Sequence, residues 1–283
     1  MSKRKLPTAK ISARSGVSGD IAPGALQRWC PEVRAAAEDG QASISILDPI
    51  GADIWGDGVS AKRIAAALRA IGENPVTINV NSPGGDYFEG LAIYNLLRQH
   101  PATVTVQILG IAASAASVIA MAGDVVRIAR SGFLMIHNTW IGAAGDRHAL
   151  REVAEWLEPF DAAAVEIYGA RTGLAADALG QMLDRETWIG GQAAIDQGFA
   201  DELLTADVLE TGAAGGANAS LRAEKKFDLI AARAGLTNSA RRSLLRDLKT
   251  GTPGADPAGT PGAADLEQSL GALLTDFKNF KTS

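Results

Sequence analysis

One cysteine, Cys30, stands in 283 residues. No internal disulfide can form, and the chain fits a reducing compartment. Excess positive charge is missing too: a net charge of −5 and no basic stripe leave no electrostatic footprint for nucleic acid. Lys3, Arg4 and Lys5 have the charge of a secretory signal, but the apolar core that must follow is absent, so a cytoplasmic location is expected. No GxxxxGK[ST] occurs, so any ATP-driven step needs a separate partner. Between positions 11 and 224 the only lysine is Lys62, on a helix, which weakens any Ser-Lys chemistry. Long apolar runs are scarce. The one stretch near membrane length, 102–123, is uncharged but rich in Ala, Ser, Thr and Gly. Val104, Val106 and Ile108 alternate ahead of Gly110, so this stretch reads as strand, turn and buried helix rather than a span.

What is present is a rhythm. With 47% apolar and 21% charged residues the composition is that of an ordinary globular chain. From Ser43 onward, strands (SISIL, VTINV, VTVQIL) alternate with helices, and two short strands (VVRIA, FLMI) follow. This pattern predicts an α/β fold with a largely parallel sheet covered on both faces. The first of these helices has Ser60 as N-cap, Ile64, Ala67, Leu68 and Ile71 on one face, and Gly72 as its stop. In such sheets ligands sit beyond the carboxyl ends of strands, which directs attention to the loops after Val80, Leu109 and Ile136. Between Asp146 and Gly173 lies a long helical stretch. Leu150, Val153, Leu157, Phe160, Ala164 and Ile167 form a seam on it, and Pro159 is expected to kink or divide it. Three regions result: an N-terminal arm (1–42), a folded domain (43–208) and a tail of linkers and short helices (209–283). The tail is expected to hold two short amphipathic helices within 225–249 and a last one in LEQSLGALLTDFKNF.

Three groups of residues could carry chemistry. NSPGGD (81–86) follows a strand and precedes a helix, a tight turn whose glycines expose backbone N–H groups able to hold an oxyanion. In LGIAASAASVIAMAGD (109–124), Ser114 falls at the start of a helix over roughly 114–122, among small alanines that let a substrate approach. Ser117, one turn further in, is expected to hydrogen-bond within the helix and pack. Of three histidines, His100 sits at a helix end, where it is expected to cap carbonyls, and His148 in a polar first turn. His137 alone follows an apolar strand at the site-bearing edge, where a neutral imidazole could take a serine proton. An acid to orient it is offered by Asp184 and Glu186 in LDRETW, with Asp161 a remote alternative.

NSPGGD, GIAASAAS, AGD, MIH and the TW…A…GFAD ending, in this order, resemble the Clp-type serine peptidases over about residues 43–204. The resemblance implies the fold of that family, shared with the crotonases: repeated β-β-α units, a mostly parallel sheet and a long protruding helix. It also implies Ser114 as nucleophile, His137 as general base, the N–H groups of Gly85 and Ala115 as oxyanion hole, and no metal or cofactor. The family's acid falls on Glu186 where Asp is usual, which leaves Glu186, Asp184 or no tight acid open. DPIGADIWGDGVSAKRIAAAL, NSPGGDYFEGLAIYNLLRQHPA and the tail AARAGLTNSARRSLLRDLKTGTPGA are similar to the phage head-maturation branch. That branch implies capsid and scaffold proteins as substrates, a ring-forming homo-oligomer, and work inside an assembling prohead. Three alternatives are a housekeeping-type Clp subunit serving a separate ATPase, an acyl-CoA enzyme of crotonase type, and a non-catalytic assembly protein on the same fold.

Overall fold

The computed structural model describes residues 21–29, 33–35, 42–51, 58–141, 143–205, 209–211, 223–224, 227–228, 230–231 and 236–250. The chain divides into two units, Met1–Gly212 and Ala213–Ser283. In the first, the elements in chain order are α1 (Pro23–Arg28), β1 (Val33–Ala35), β2 (Ala42–Ile46), α2 (Ala61–Ile71), β3 (Val76–Ser82), α3 (Tyr87–Gln99) and β4 (Val104–Ala113). There follow α4 (Ala115–Ala120), β5 (Val125–Ile128), β6 (Phe133–Ile136), α5 (Arg147–Thr172), α6 (Ala176–Asp184), β7 (Thr187–Gly190), α7 (Gly191–Asp196), β8 (Glu202–Leu203) and β9 (Leu209–Thr211).

Strands β2, β3, β4, β5 and β8 lie side by side and run parallel, as the strand-helix alternation predicts. β3 is buried along its whole length, the mark of a strand covered on both faces. The caps of α2 fall where the sequence puts them. Ser60 accepts the Arg63 N–H at the start of α2, and Gly72 ends it at φ 71°. Asp86 caps α3 by accepting from Phe88 and Glu89.

β4 departs from the expected strand, break and turn. It continues through Gly110 to Ala113, ten residues in all. Thr105–Ile108 pair with β5, whereas Ile111–Ala113 pair with β6. Gly110 is therefore the point at which one strand changes partner, and the sheet divides there. β6 then carries the antiparallel β7 on its far side. The uncharged run is the inside of the protein, with Ala112, Ala113, Ala116, Ile119 and Ala120 all fully buried. No helix among the described residues is long and apolar enough to cross a membrane.

The long helix α5 is continuous over 26 residues with Pro159 inside it. Pro159 is exposed, so water can take the carbonyl that its ring leaves unpaired. The predicted seam is buried only in its second half, at Phe160, Ala164 and Ile167, while Leu150 is exposed. Phe160 packs edge-on against Phe88 and Trp156. At the other end the fully buried Arg171 guanidinium pairs with Asp201 and donates to the Gly123 carbonyl, which ties α5 to the sheet.

Residues 21–29 do not behave as an arm. Ile21, Ala22, Ala25 and Trp29 are buried, and Trp29 Nε1 donates to the Asn81 carbonyl at 2.9 Å. β1 pairs with β9 in a separate antiparallel ribbon. In the second unit, helix α8 (Asn238–Thr250) presents Arg241 to Asp228 at 2.8 Å, with Phe227, Ala231 and Leu245 buried. The LEQSLGALLTDFKNF segment lies outside the described residues.

Candidate active site

Three strand ends meet. β3 pairs with β4 as far as Ser82 and Ala112, and β4 pairs with β6 as far as Ala113 and Met135. The residues that follow these strands are neighbours by register alone: the SPGG turn after β3, Ser114 after β4, His137 after β6. The ladder runs one step beyond β4, since the Ser114 N–H donates to the Met135 carbonyl at 2.9 Å. Ser114 Oγ lies 2.8 Å from His137 Nε2.

Ser114 does not have ordinary strand or helix geometry. Its φ of 56° and ψ of −125° belong to a region that non-glycine residues rarely enter. Such a conformation persists only where the surroundings over-determine it. Here they do: the N–H is held by β6, and the carbonyl accepts from Ser117 N and Val118 N in the first turn of α4. The strained turn lifts the side chain out of the sheet towards a shallow cleft lined in part by Gly85, Tyr87, His137, Trp140 and Tyr168.

The SPGG turn is built around two positive φ values, 89° at Gly84 and 146° at Gly85. A side chain at Gly84 would meet the Ala113 carbonyl at 2.6 Å and Ser114 Cβ at 2.7 Å. Gly85 bridges to Ile50: the Gly84 carbonyl accepts from Ile50 N, and Asp86 N donates to the Ile50 carbonyl. In a parallel bridge this arrangement turns the N–H of Gly85 itself to the opposite side, towards the cleft. The Ala115 N–H stands at the first position of α4, where no carbonyl of the helix can reach it. Asn81, a residue to which the sequence assigns no role, holds this corner together. Its side-chain oxygen accepts from Ile111 N while its carbonyl takes the Trp29 indole.

Burial lowers the pKa of His137 from the usual imidazole value of 6.5, and the charge of Glu186 acts the other way. No carboxylate among the described residues is hydrogen-bonded to this ring. Glu186, at φ 49°, turns its Oε1 towards Trp188 Nε1 at 3.4 Å. Asp184 is turned to Asn138 instead, accepting its amide at 2.8 Å, and Asp161 accepts the Thr139 N–H at 2.6 Å. Both acids thus fasten the loop that leaves His137, a role invisible to a reading that sought only a partner for the imidazole. His100 caps α3 through its backbone N–H, which donates to the Leu97 carbonyl, while its ring bonds the Asn74 carbonyl; His148 is exposed. Ser117 is fully buried and donates to the Ser114 carbonyl, the packed role expected for it.

Comparison with known proteins identifies the family. Residues 49–207, more than half of the chain, match the family described as Clp protease. The chain is 30% identical over 157 residues to the ATP-dependent Clp protease proteolytic subunit 2 of Thermobifida fusca, covering 53% of this chain and 76% of that protein. It is 28% identical over 166 residues to proteolytic subunit 1 of Leifsonia xyli, covering 56% and 84%. Subunit 1 of Streptomyces avermitilis is 26% identical over 195 residues, covering 62% and 89%. The matched region contains all three strand ends that converge on the cleft, and on this ground the chain belongs to the Clp protease family and is a serine-type peptidase.

Proposed function

We propose that the chain is an endopeptidase with Ser114 as nucleophile, acting on capsid and scaffold proteins during maturation of a phage prohead. The observation that carries the chemistry is the 2.8 Å approach of Ser114 Oγ to His137 Nε2. Ser114 Oγ attacks the scissile carbonyl while its proton passes to Nε2 of His137. The oxyanion that forms is held by the N–H groups of Gly85 and Ala115. The imidazolium then returns the proton to the leaving amine, leaving an acyl-enzyme that water hydrolyses with His137 as base. Glu186 supplies the negative charge that stabilises the imidazolium without touching it.

The phage branch is supported by the quoted sequence blocks and by the second unit, Ala213–Ser283, which lies beyond the matched family region. That unit would tether the peptidase to a scaffold lattice and raise its effective concentration there. In this reading the subunits form a homo-oligomer in the host cytoplasm and then inside the prohead. The names of the relatives, ATP-dependent Clp protease proteolytic subunits, favour a second reading as a peptidase subunit fed by a separate ATPase. Intact masses of coexpressed capsid and scaffold proteins separate the two. Trimmed masses with the parent chain and full-length masses with Ser114→Ala are expected; full-length masses in both would favour the second reading.

The buried His137 predicts a pH dependence. Its neutral, proton-accepting form persists below pH 6.5, because the pKa is lowered by burial. The acidic limb of kcat/KM is therefore expected below that pH. Glu186→Gln removes the opposing charge and should move the limb lower still, with a smaller maximum. A limb at or above pH 6.5 in the parent would contradict the assignment of His137 as the titrating base.

A further inference from the structure

The cleft hides a second hydroxyl chain behind the nucleophile. Ser117 Oγ lies 2.6 Å from the Ser114 carbonyl oxygen and 2.8 Å from Tyr168 Oη. A carbonyl oxygen only accepts, so the single Ser117 proton goes to Ser114. The Tyr168 hydroxyl must then donate to Ser117 Oγ. Directions are thus fixed from one end to the other: Tyr168 to Ser117 to the Ser114 carbonyl. Burial raises the Tyr168 pKa, which keeps its proton in place throughout the working range. Both side chains are buried, Ser117 fully and Tyr168 at 2% exposure, so no water competes for these bonds.

Two buried hydroxyls in an apolar layer of Val118, Ile119 and Ala164 are costly unless every bond is made. Mere filling of this space would be served by Ala and Phe. The relay ends on the Ser114 carbonyl, one of the two backbone groups whose orientation sets where Ser114 Oγ points. With φ at 56° and ψ at −125°, rotation of the Ser114 peptide towards a relaxed conformation would swing the side chain off His137. Tyr168 comes from α5, in the half of that helix locked by Arg171 to Asp201. It therefore refers the position of the nucleophile to a rigid element outside the sheet.

We propose that Ser117 and Tyr168 are positioning residues, a hydrogen-bond relay from α5 that aims the nucleophile by holding the Ser114 carbonyl. The proposal rests on the reading of Ser114 as nucleophile. A misplacement of about 1 Å can cost about 10²-fold in rate, and two amide donors to the same carbonyl remain when the relay is cut. The expected loss is accordingly about tenfold in kcat for Ser117→Ala and somewhat less for Tyr168→Phe, with KM within about twofold of the parent.

The test is a double-mutant cycle on a short fluorogenic peptide and on the rate of labelling by a fluorophosphonate probe. Rates are normalised to folded protein from each variant's melting curve. Tyr168→Phe removes one oxygen and keeps the ring, so it samples the relay even if Ser117→Ala proves unstable. In a relay the double variant is no slower than Ser117→Ala alone, because Tyr168 acts only through Ser117. Parent-like kcat in both single variants would overturn the proposal. So would a Tyr168→Phe loss of the same size in the Ser117→Ala background, the signature of separate packing effects. Ser114→Ala is run alongside: if it still labels, the nucleophile has been misread, whereas loss of labelling there with unaffected relay variants removes the relay alone.

Discussion

Peptide hydrolysis should fall about 10⁵–10⁶-fold on Ser114→Ala, the scale on which removing a nucleophile acts in serine peptidases. Labelling by a fluorophosphonate should vanish with it. The expectation follows from what the oxygen does and does not touch. Ser114 Oγ meets His137 Nε2, while the backbone of Ser114 is held independently by Met135, Ser117 and Val118. Deleting the oxygen removes one bond on the cleft side and leaves the turn intact, since alanine and serine place the same Cβ at φ 56°. Melting temperature and oligomeric state should therefore match the parent. His137→Ala should cost a similar amount, and the double variant little more, because nucleophile and base act as one unit. Residual labelling of Ser114→Ala would show that another residue is the nucleophile. Unchanged cleavage of capsid partners on coexpression with Ser114→Ala, with no peptide hydrolysis by the parent chain itself, would favour an assembly protein whose function does not use the serine.

The parts of this site that could be read from sequence are those fixed by local rules. Gly84 and Gly85 announce a turn that only glycine can make, and both have positive φ. Ser60 and Gly72 announce helix ends, and each sits at one. His137 could be singled out because an apolar strand runs straight into it. Long-range events left no such trace. Gly110 looks like a break because glycine usually ends a strand. In fact it marks the residue where β4 exchanges β5 for β6, and nothing near it in sequence reports that exchange. Trp29 resembles part of an arm because its partner, the Asn81 carbonyl, is 52 residues away. Asp184 and Glu186 sit two residues apart and are indistinguishable by type. Only the fold turns one towards Asn138 and leaves the other's charge to act on His137.

Gly85→Ala tests the other half of the chemistry and should reduce kcat about 10²–10³-fold, the usual cost of one lost oxyanion donor. Two effects add. At φ 146° an L side chain is strained, and its Cβ would stand 2.1 Å from the Ile50 carbonyl oxygen and 2.9 Å from Ile50 N. Those neighbours are backbone, so the turn itself must move. Movement breaks the bridge to Ile50 that aims the Gly85 N–H into the cleft. Because the donor acts on charge that appears only in the transition state, the loss should fall mainly on kcat and leave KM little changed. Gly72→Ala provides the contrast. That glycine also has positive φ, at 71°, but an added Cβ would meet nothing within 4 Å, at the end of a helix far from the strand ends. It should lower stability by about 1 kcal/mol and leave kcat alone. If Gly85→Ala behaved like Gly72→Ala, with a modest fall in melting temperature and parent-like turnover, the oxyanion would have to be held by other donors. The Ala115 N–H would then be the first to examine, since it lies at the helix start that Ser114 itself begins.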